Sequence, residues 1–432
     1  MPRARIAIVG GGSFHWGPGL IRDFLVSPEL QGSELVLHDV VREAAEANRA
    51  IGEQLREQAG ADFSIEVVDE RRAALRDADY VVVTIAVGGL EAWRLDMEIP
   101  DRHGVRQTIA DTVGPGGLSR SLRHIPVLLA IARDMEEVCP GGWLINVTNP
   151  MTTLTRAIWR ETGVRCIGLC HELFGCLRDL EAMLGVPQSE MHYRVAGINH
   201  CTWMTELSVR GEDGLELLRQ HWREQGYPKD TVAPMLFEVF GALPVWKGRH
   251  LSEFFPHFLT PESGYGERYG FLDQMVTVKD RYEARDRAHA RWLEMRQGKG
   301  LPGLERGGEP VAPVVIALAG GEPVTFPVNW PNLGQVSNLP LEAVVETPAT
   351  VDVRGVTPHA MGALPAGVQA VLARHVANQE LIVEAAVRGD RGLALQALVN
   401  DPLVRSLEAA WAMLDELLGA HARYLPQFAA QG

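Results

Sequence analysis

Over the first 150 residues, short apolar runs alternate with amphipathic stretches. The apolar runs are ARIAIVG, ELVLHDV, DYVVVTIAV and GGWLINVTNP, with helix-like segments between them. Near-continuous apolar runs such as VVVTIAV are typical of strands that are covered on both faces of a sheet. This order predicts an α/β domain over residues 1–150, with a Rossmann-type parallel sheet and crossover helices.

The pattern becomes mixed after Pro150. It predicts a helix through RAIWRE, a strand at CIGLC, a helix to Leu184, and paired strands in MHYRVAGINHCTWMTELSVRG. Polar helices are expected from about 215 to 300, strands from 320 to 355, and mostly helices from Ala366 to about Arg423. No repeat or low-complexity linker separates these parts. We therefore expect a mixed α+β domain over residues 151–432 that forms one compact body with the first.

Composition limits the classes of partner. The chain has 432 residues, 46% of them hydrophobic, and a formal net charge of -14, which argues against nucleic acid or an anionic membrane as the main partner. The start, MPRARIAIVGGG, lacks the apolar core and cleavage site of a signal peptide. Five cysteines in so long a chain suit a reducing compartment better than a disulfide framework. We expect a cytoplasmic protein.

A glycine-rich turn follows the first predicted strand. Gly10, Gly11, Gly12 and Ser13 stand where a tight turn lets backbone N–H groups approach a pyrophosphate at the start of a helix. The turn departs from the usual G-x-G-x-x-G pattern because position 15 is His. A glycine turn can also be purely structural, so further residues are needed to argue for a nucleotide.

Two further segments supply them. Asp39 ends the strand ELVLHDV, where a carboxylate can accept a hydrogen bond from a ribose 2′-hydroxyl and favour NAD over NADP. The alternative is that Asp39 caps a helix. Val87, Gly88 and Gly89 follow what we count as the third strand and would line the cofactor cleft. The three segments in sequence register predict an NAD site.

A cysteine and a histidine suggest a metal site. Cys170 ends the strand-like CIGLC, and His200 ends VAGINH. A thiolate and an imidazole on rigid strand ends, with open positions left over, suit a catalytic divalent transition metal. The alternative is that both are buried packing residues. Cys166, Cys176 and Cys201 are interpreted as packing residues.

Six motifs together resemble a known family. The chain is similar to glycoside hydrolase family 4 in GGGS at 10–13, GPGG at 114–117, NVTNP at 146–150, GLCHE at 168–172, GINH at 197–200 and NLP at 338–340. The resemblance covers nearly the whole chain. It implies a fold like that of lactate and malate dehydrogenases, NAD, a divalent metal that is commonly Mn²⁺, a small-molecule glycoside substrate, and a homodimer or homotetramer.

The resemblance also assigns residues. It makes Cys170 and His200 the metal ligands and Asn149 a sugar contact beside the metal. Cys-His-Glu resembles the α-glucosidase branch, although Leu173 follows where Val is more familiar. Other branches act on α-galactosides, on uronides or on phosphorylated glucosides, and these remain the alternatives.

The implied chemistry is an exception to hydrolysis by two carboxylates. Hydride leaves sugar C3 for NAD, a base removes the C2 proton, the glycosidic bond breaks by elimination, water adds, and the hydride returns. His171 is the candidate acid for the leaving oxygen, with a structural hydrogen bond as the alternative role. Glu172 could hold the tautomer of His171 or contact a sugar hydroxyl.

The base is less clearly indicated. Relatives that act on phosphorylated β-glucosides use a tyrosine in a segment resembling PVWKGRHLSEFF, where this chain has His250. His250 could be the base, or it could bind substrate while Asp111 or Tyr265 takes the proton. Arg249 and Arg94 are candidate contacts to sugar hydroxyls or carboxylates, although arginine is by default a surface residue.

Two rival interpretations share the N-terminal fold. A simple NAD-dependent 2-hydroxyacid dehydrogenase would not explain Cys170 together with His200, and the region after residue 215 would be surplus. A non-catalytic NAD-sensing protein would usually have lost the metal and sugar positions that are intact in this chain. The sequence therefore favours a glycosidase, most plausibly for α-glucosides.

Overall fold

The fold is seen in a computed structural model that describes residues 3–245 and 247–429. The outer ends of the two predicted domains, residues 1–2 and 430–432, lie outside this range. Within it, thirteen strands form one mixed sheet. They are β1 (Arg5–Val9), β2 (Ser33–His38), β3 (Phe63–Val67), β4 (Tyr80–Val83), β5 (Trp143–Asn146), β6 (Arg165–Leu169), β7 (Met191–Ile198), β8 (Cys201–Val209), β9 (Glu212–Asp213), β10 (Leu243–Pro244), β11 (Val324–Pro331), β12 (Val344–Asp352) and β13 (Gly355–Pro358).

The helices of the same range cover both faces of this sheet. They are α1 (Gly17–Leu25), α2 (Arg42–Ala59), α3 (Arg71–Leu75), α4 (Gly89–Arg102), α5 (Gly114–Val138), α6 (Met151–Glu161), α7 (Glu172–Leu184), α8 (Gly214–Gln225), α9 (Val232–Phe240), α10 (Gly248–Phe254), α11 (Val278–Arg296), α12 (Val311–Leu318), α13 (Ala366–Arg388), α14 (Arg391–Asn400), α15 (Leu407–Ala420) and α16 (Pro426–Ala429).

Strands β1 to β6 form the parallel half of the sheet, in the order β6-β5-β4-β1-β2-β3. Side chains of β1 alternate between two cores. Ile6 and Ile8 pack with α1, α2 and α12, whereas Ala7 and Val9 pack with α5 and its neighbours. Because both faces are buried, the strand reads as a continuous apolar run. The predicted Rossmann-type sheet is confirmed.

The sheet continues without a break into an antiparallel half. Strand β11 pairs antiparallel with β6, matching Val328 to Leu169 and Asn329 to Gly168. Strand β12 joins β11 to β7, and β7 forms a long hairpin with β8. The predicted paired strands around GINH are this hairpin, whose turn carries His200. One sheet thus runs through both predicted domains, and the boundary at residue 150 stays a prediction.

Two predicted details are wrong. Strand β3 was missed, so the strand that leads into VTIAVGG is the fourth and not the third; it ends at Val83. The stretch expected to be helical from 215 to 300 has, among the described residues, no α-helix between Phe254 and Val278. Prolines and positive-φ glycines interrupt that stretch and leave only short 3-10 turns, because neither residue sustains a helix interior.

The carboxyl ends of the parallel strands bring five loops to one edge of the sheet. These loops hold the glycine turn after β1, Asp39 after β2, Val87 after β4, Asn149 after β5 and Cys170 after β6. Ligands of open α/β sheets bind at this edge, where the strand order reverses between β1 and β4. No helix of the described residues is long and apolar enough to span a bilayer.

Candidate active site

Three side chains from distant segments converge beside this edge. Asp111, His200 and His250 each offer one ligand atom, and these atoms all lie within 4.8 Å of one another. His200 occupies the β7–β8 turn at φ +67°, and the imidazole centroids of His200 and His250 are 4.2 Å apart. Two imidazoles and a carboxylate form a donor set that suits a divalent transition metal.

Burial keeps the two imidazoles of this cluster neutral. It lowers the pKa of His200 to about 4, and the nearby Asp111 carboxylate opposes the shift. Burial also holds the pKa of His250 well below its ordinary range, with His200 and Arg249 adding to the effect. A neutral imidazole has the lone pair that a metal needs. The same low pKa makes His250 a weak proton acceptor, so its predicted role as the base stays a prediction.

Thr112 sets the orientation of one imidazole. Its hydroxyl lies 2.8 Å from Asp111 Oδ1 and 2.7 Å from His200 Nδ1. The hydroxyl has one hydrogen to give, and the carboxylate can only accept. We infer that Thr112 donates to Asp111 and that His200 Nδ1–H donates to Thr112, which fixes the tautomer whose lone pair lies on Nε2.

Cys170 lies beside this cluster but is not one of its three members. Its sulfur hydrogen-bonds the Asn199 side chain and the backbone N–H of Glu172. Burial raises the pKa of the Cys170 thiol well above its ordinary value, and the carboxylates of Glu346 and Glu172 add to the rise. Asn199 directly precedes His200, and its buried Oδ1 has no described hydrogen-bond partner. An orphaned oxygen next to a thiol and an imidazole fits a metal centre.

A closed ring of buried polar groups supports this corner. Glu346 Oε2 accepts hydrogen bonds from Asn199 Nδ2 at 2.8 Å and from Asn329 Nδ2 at 2.7 Å. Thr152 donates to Asn329 Oδ1 and accepts from the backbone N–H of Asn199. The ring ties β11, β12 and α6 to the His200 turn. Sequence reasoning missed all four residues; only the position of Asn199 within GINH could have drawn attention to it.

The loop that carries Asp111 is held by another missed residue. Glu253, on the same helix α10 as His250, accepts the backbone N–H groups of Thr108, Ile109 and Ala110 at 2.7–2.9 Å through one oxygen, Oε1. Burial raises the pKa of Glu253 to about 7, while these three N–H groups oppose the rise. Helix α10 thus supplies one cluster member and fixes the backbone leading to another.

The predicted sugar contact Asn149 faces the cluster. Its Nδ2 lies 3.5 Å from Asp111 Oδ2, and its backbone carbonyl accepts Arg120 Nε at 2.8 Å. The terminal nitrogens of Arg120 have no partner among the described residues. An arginine with unused donors beside Asn149 is chemically suited to sugar oxygens, and the sequence did not single it out.

Glu172 lies close to His250. Its Oε1 is 3.9 Å from His250 Nε2. Burial raises the pKa of Glu172 to about 8, although Arg249 and Lys247 oppose the shift. The buried Nε of Arg249 has no partner among the described residues. A carboxyl group with such a pKa can hold a proton near neutral pH, a property that sequence reasoning did not assign to Glu172.

Other predicted residues have different partners. His171 Nδ1 lies 3.6 Å from Glu309 Oε1, and nearly half of the His171 side chain is exposed. Arg94 pairs with Glu91 and Glu98 on the outer face of α4. A sugar contact by Arg94 remains a prediction and would require these ion pairs to open.

Tyr265, the third candidate base, lies in a separate cavity. Arg106 stacks over its ring, with the guanidinium carbon 4.9 Å from the ring centroid. The cavity has a volume of about 220 Å³, and Asp111, His200 and His250 are not among its lining residues. Because Tyr265 lines a cavity without these three residues, we favour a member of the cluster over Tyr265 as the proton acceptor.

The glycine turn has the backbone that a dinucleotide requires. Gly10 adopts φ +90°, and a Cβ there would lie 2.0 Å from the carbonyl oxygen of Thr84. The N–H groups of Gly10, Gly11, Gly12 and Ser13 are bonded within the protein. Those of Phe14 and His15, just before α1, have no partner among the described residues. They are the donors left for a phosphate.

Asp39 is tied to this turn. Its Oδ2 accepts the N–H of Gly12, and its Oδ1 accepts the N–H of Val41, both at 2.9 Å. Helix α2 has Val41 as its N-cap and no side-chain cap, so the alternative role of Asp39 as a helix cap is not adopted. Each oxygen keeps a lone pair for a ribose hydroxyl.

The loop after β4 completes this part of the site. The backbone N–H of Val87 donates to His124 Nε2 at 3.0 Å, and Arg123 Nε lies 3.4 Å from the Val87 carbonyl. Gly88 adopts φ +82° as the residue before α4. The predicted NAD positions therefore lie together at the carboxyl ends of β1, β2 and β4, on the sheet edge that also carries the candidate metal cluster.

Comparison with known proteins agrees with this geometry. The profile described as "Family 4 glycosyl hydrolase" matches residues 5–186, and that of the "Family 4 glycosyl hydrolase C-terminal domain" matches residues 195–404. An α-galacturonidase of Bacillus subtilis is 37% identical over 94% of each chain. An α-galactosidase of the same organism is 35% identical over 98% of this chain and 99% of its own.

Solved structures extend the comparison. The Bacillus subtilis protein lplD superposes with a TM-score of 0.89 at 34% identity, covering 97% of this chain and 100% of its own. A 6-phospho-α-glucosidase from gut microorganisms, solved with NAD and Mn²⁺, gives 0.84 at 22% identity over 99% and 100%. Malate dehydrogenase of Plasmodium falciparum gives 0.55 at 12% identity over 89% and 98%, a likeness of fold alone. Sequence and fold agree over nearly the full length, and the chain belongs to family 4 of the glycosyl hydrolases.

Proposed function

We propose that the protein hydrolyses α-linked glycosides with the help of NAD and a divalent metal, for which we propose Mn²⁺. The observation that carries the proposal is the buried, neutral pair His200 and His250 with Asp111, on the same sheet edge as the Gly10 turn. A dinucleotide and a metal at one edge can act on adjacent carbons of one sugar. Neither rival, the simple dehydrogenase or the NAD sensor, accounts for the metal-binding half.

In this proposal, the turn from Gly10 to Ser13 holds the pyrophosphate of NAD, Asp39 binds the ribose, and Val87 and Gly88 line the cleft. When bound, NAD supplies a hydride acceptor that is regenerated in each turnover. The free N–H groups of Phe14 and His15 and the remaining lone pairs of Asp39 support this arrangement.

Cys170 and His200 are proposed to hold the metal, with Asp111 or His250 as further ligands. A bound divalent cation would supply Lewis-acid stabilisation of negative charge on sugar oxygens. The contact between His200 Nδ1 and Thr112, which sets the tautomer whose lone pair lies on Nε2, supports this assignment. So does the Asn199 oxygen that has no described partner.

The chain must also move protons. Asn149 and Arg249 would orient the sugar, and His250 or Asp111 would accept the C2 proton. Because a residue that ligates the metal cannot at the same time be the base, we propose that one of these two ligates the metal and the other is the base. For the leaving oxygen, His171 is the candidate from sequence, whereas the raised pKa of Glu172 supports Glu172 as a second donor.

Two observations point to different sugars as the substrate. Cys170-His171-Glu172 favours an α-glucoside, which is our first proposal. The 37% and 35% identities to an α-galacturonidase and an α-galactosidase favour a galacto-configured sugar. We retain α-galacturonides and α-galactosides as the second candidate.

A substrate panel tests this proposal. Nitrophenyl α- and β-glycosides of glucose, galactose, galacturonic acid and the 6-phosphates are assayed with NAD⁺, Mn²⁺ and a thiol reductant. We expect turnover of an α-glycoside that needs both NAD⁺ and Mn²⁺ and does not accumulate NADH. Stoichiometric NADH release would indicate the dehydrogenase instead. We also propose that the protein is a cytoplasmic homodimer or homotetramer. Light scattering, which measures the mass of the assembly, tests the number of subunits.

A further inference from the structure

Helix α11, Val278–Arg296, reaches the nucleotide end of the protein from far along the chain. Trp292 is its one buried residue. The helix contacts α2 and α4, which flank the proposed NAD cleft. An exposed helix that buries one side chain is not held by an apolar stripe. Trp292 is therefore the main buried contact between helix α11 and the rest of the protein.

Those contacts form a relay to the glycine turn. Trp292 Nε1 donates to Asn48 Oδ1 at 2.6 Å. Asn48 is completely buried, and its Nδ2 donates to the carbonyls of Gly11 at 2.8 Å and Ser13 at 3.0 Å. One indole N–H thus fixes the amide that holds two carbonyls of the turn.

Aromatic contacts strengthen the same junction. Phe14, whose backbone N–H has no described partner, packs edge-on to His289 with ring centroids 5.7 Å apart. His289 in turn stacks with Trp292 at 5.5 Å. The ring of Phe14 also lies 6.4 Å from that of Trp292. Two hydrogen bonds from Asn48 and two ring contacts of Phe14 therefore join helix α11 to the turn on both sides of Ser13.

We propose that Trp292 is a positioning residue of the dinucleotide site, which makes α11 a functional part of that site. This inference rests on the proposed use of NAD. The glycine turn has little intrinsic order, because glycine loses the most conformational freedom on being fixed. If Asn48 did not hold it, the turn would have to be ordered by the ligand, and the affinity for NAD⁺ would fall accordingly.

The chain provides a matched pair of tryptophans for the test. Trp292→Phe keeps the ring and removes the N–H donor. Trp222→Phe makes the same change at a tryptophan of similar burial on α8 whose Nε1 has no partner among the described residues. The dissociation constant of NAD⁺ is measured by titration calorimetry for the wild type and both variants, together with the thermal midpoint and the affinity for Mn²⁺.

We expect the dissociation constant of NAD⁺ to rise roughly tenfold in Trp292→Phe, equivalent to about 1.4 kcal/mol, and to stay unchanged in Trp222→Phe. Affinity for Mn²⁺ should be unchanged in both, which a general loss of packing would not produce. Equal NAD⁺ affinities in wild type and Trp292→Phe, or equal weakening in both variants, would overturn the inference.

Asn48→Leu provides a second route, because it breaks the relay without altering α11. It should lower the affinity for NAD⁺ at least as much as Trp292→Phe does. The double variant should bind NAD⁺ no more weakly than Asn48→Leu alone, since Trp292 acts through Asn48. Additive effects would overturn the relay. A wild-type protein that binds no NAD⁺ would overturn the proposed cofactor and this inference with it, whereas a failed relay with intact NAD⁺ binding leaves the proposed function standing.

Discussion

His200 Nδ1 lies 2.7 Å from the hydroxyl oxygen of Thr112, and that same hydroxyl reaches Asp111. Two members of the candidate metal cluster are therefore oriented by one side chain that is not a member of that cluster. Partners of this kind fix the tautomer of a ligating imidazole and are worth about 10- to 100-fold in metal affinity.

Replacing Thr112 by Val tests this orientation. The variant keeps the shape of the side chain and loses the hydroxyl, so we expect affinity for Mn²⁺ to fall about 10- to 100-fold while NAD⁺ binding is retained. Metal titration followed by calorimetry measures both. Thr347→Val is the matched control, because the buried Thr347 hydroxyl has no described partner. Equal Mn²⁺ affinity in the two variants would argue against the role of Thr112.

Replacing Cys170 by Ser should abolish metal-dependent turnover while the fold is retained, because the thiolate is the proposed ligand. Burial raises the pKa of the Cys170 thiol, so metal binding must release its proton and Mn²⁺ affinity should increase with pH. Cys201→Ser is the control, since Cys201 is buried nearby in the β7–β8 hairpin and outside the cluster. Metal content, measured by mass spectrometry, and activity are compared for the two variants. A fully active Cys170→Ser enzyme would exclude Cys170 from the site.

Replacing Asp39 by Ala should weaken the binding of NAD⁺ by about 1.5–3 kcal/mol, which is the contribution of a hydrogen bond to a charged group. The variant also frees the N–H of Gly12, which loosens the turn in the same direction. NADP⁺, whose 2′-phosphate the carboxylate repels, should lose less affinity or gain some. Calorimetry with both nucleotides measures the difference, and an unchanged NAD⁺ affinity would remove Asp39 from the site.

Hydrolysis in D₂O should place deuterium at C2 of the product sugar, because the proposed mechanism breaks the C2–H bond and direct displacement does not. Mass spectrometry and NMR of the product detect the label. In His250→Ala, exchange and cleavage should fall together if His250 is the base. A substrate contact would instead raise KM and leave much of kcat. Unlabelled product, together with activity in the absence of NAD⁺, would refute the mechanism.

Glu253 predicts a pH dependence of stability. Its pKa rises from 4.5 to about 7 in the folded protein. Between these values the folded protein holds a proton that the unfolded chain has released, so the contribution of Glu253 to stability is present at low pH and is lost as pH rises through 7. Glu253→Gln cannot titrate. We therefore expect the melting temperature of the wild type, relative to Glu253→Gln, to decrease from pH 5 to pH 8. A difference independent of pH would contradict the shift.

The parallel half of the fold was predictable because its strands are buried on both faces, which produces apolar runs such as RIAIV and YVVV. Strand β3 was missed for the opposite reason. It lies at the edge of the sheet, and its exposed Ser64 and Glu66 dilute the apolar signal. A strand that is buried on both faces can be predicted from its apolar run. Edge strands and the irregular stretch after Phe254 have no such pattern.

Candidate site residues could be proposed from sequence where a motif carries their chemistry. Cys170, His200 and the glycine turn stand at strand ends and could be found from sequence. Glu346 could not, because it meets Asn199 only through the pairing of β12 with β7, 147 residues apart in the chain. Contacts made across a sheet leave no local signal.

The antiparallel join between β6 and β11 has a consequence for motion. Hydrogen bonds run without a break from the parallel half of the sheet to the half that carries His200, so we expect the two halves to move together rather than as two lobes on a hinge. We therefore expect substrate entry and product release to depend on segments outside the sheet, such as the stretch without α-helix between Phe254 and Val278. A cross-link within that stretch should then slow turnover without changing the positions of the site residues on the sheet.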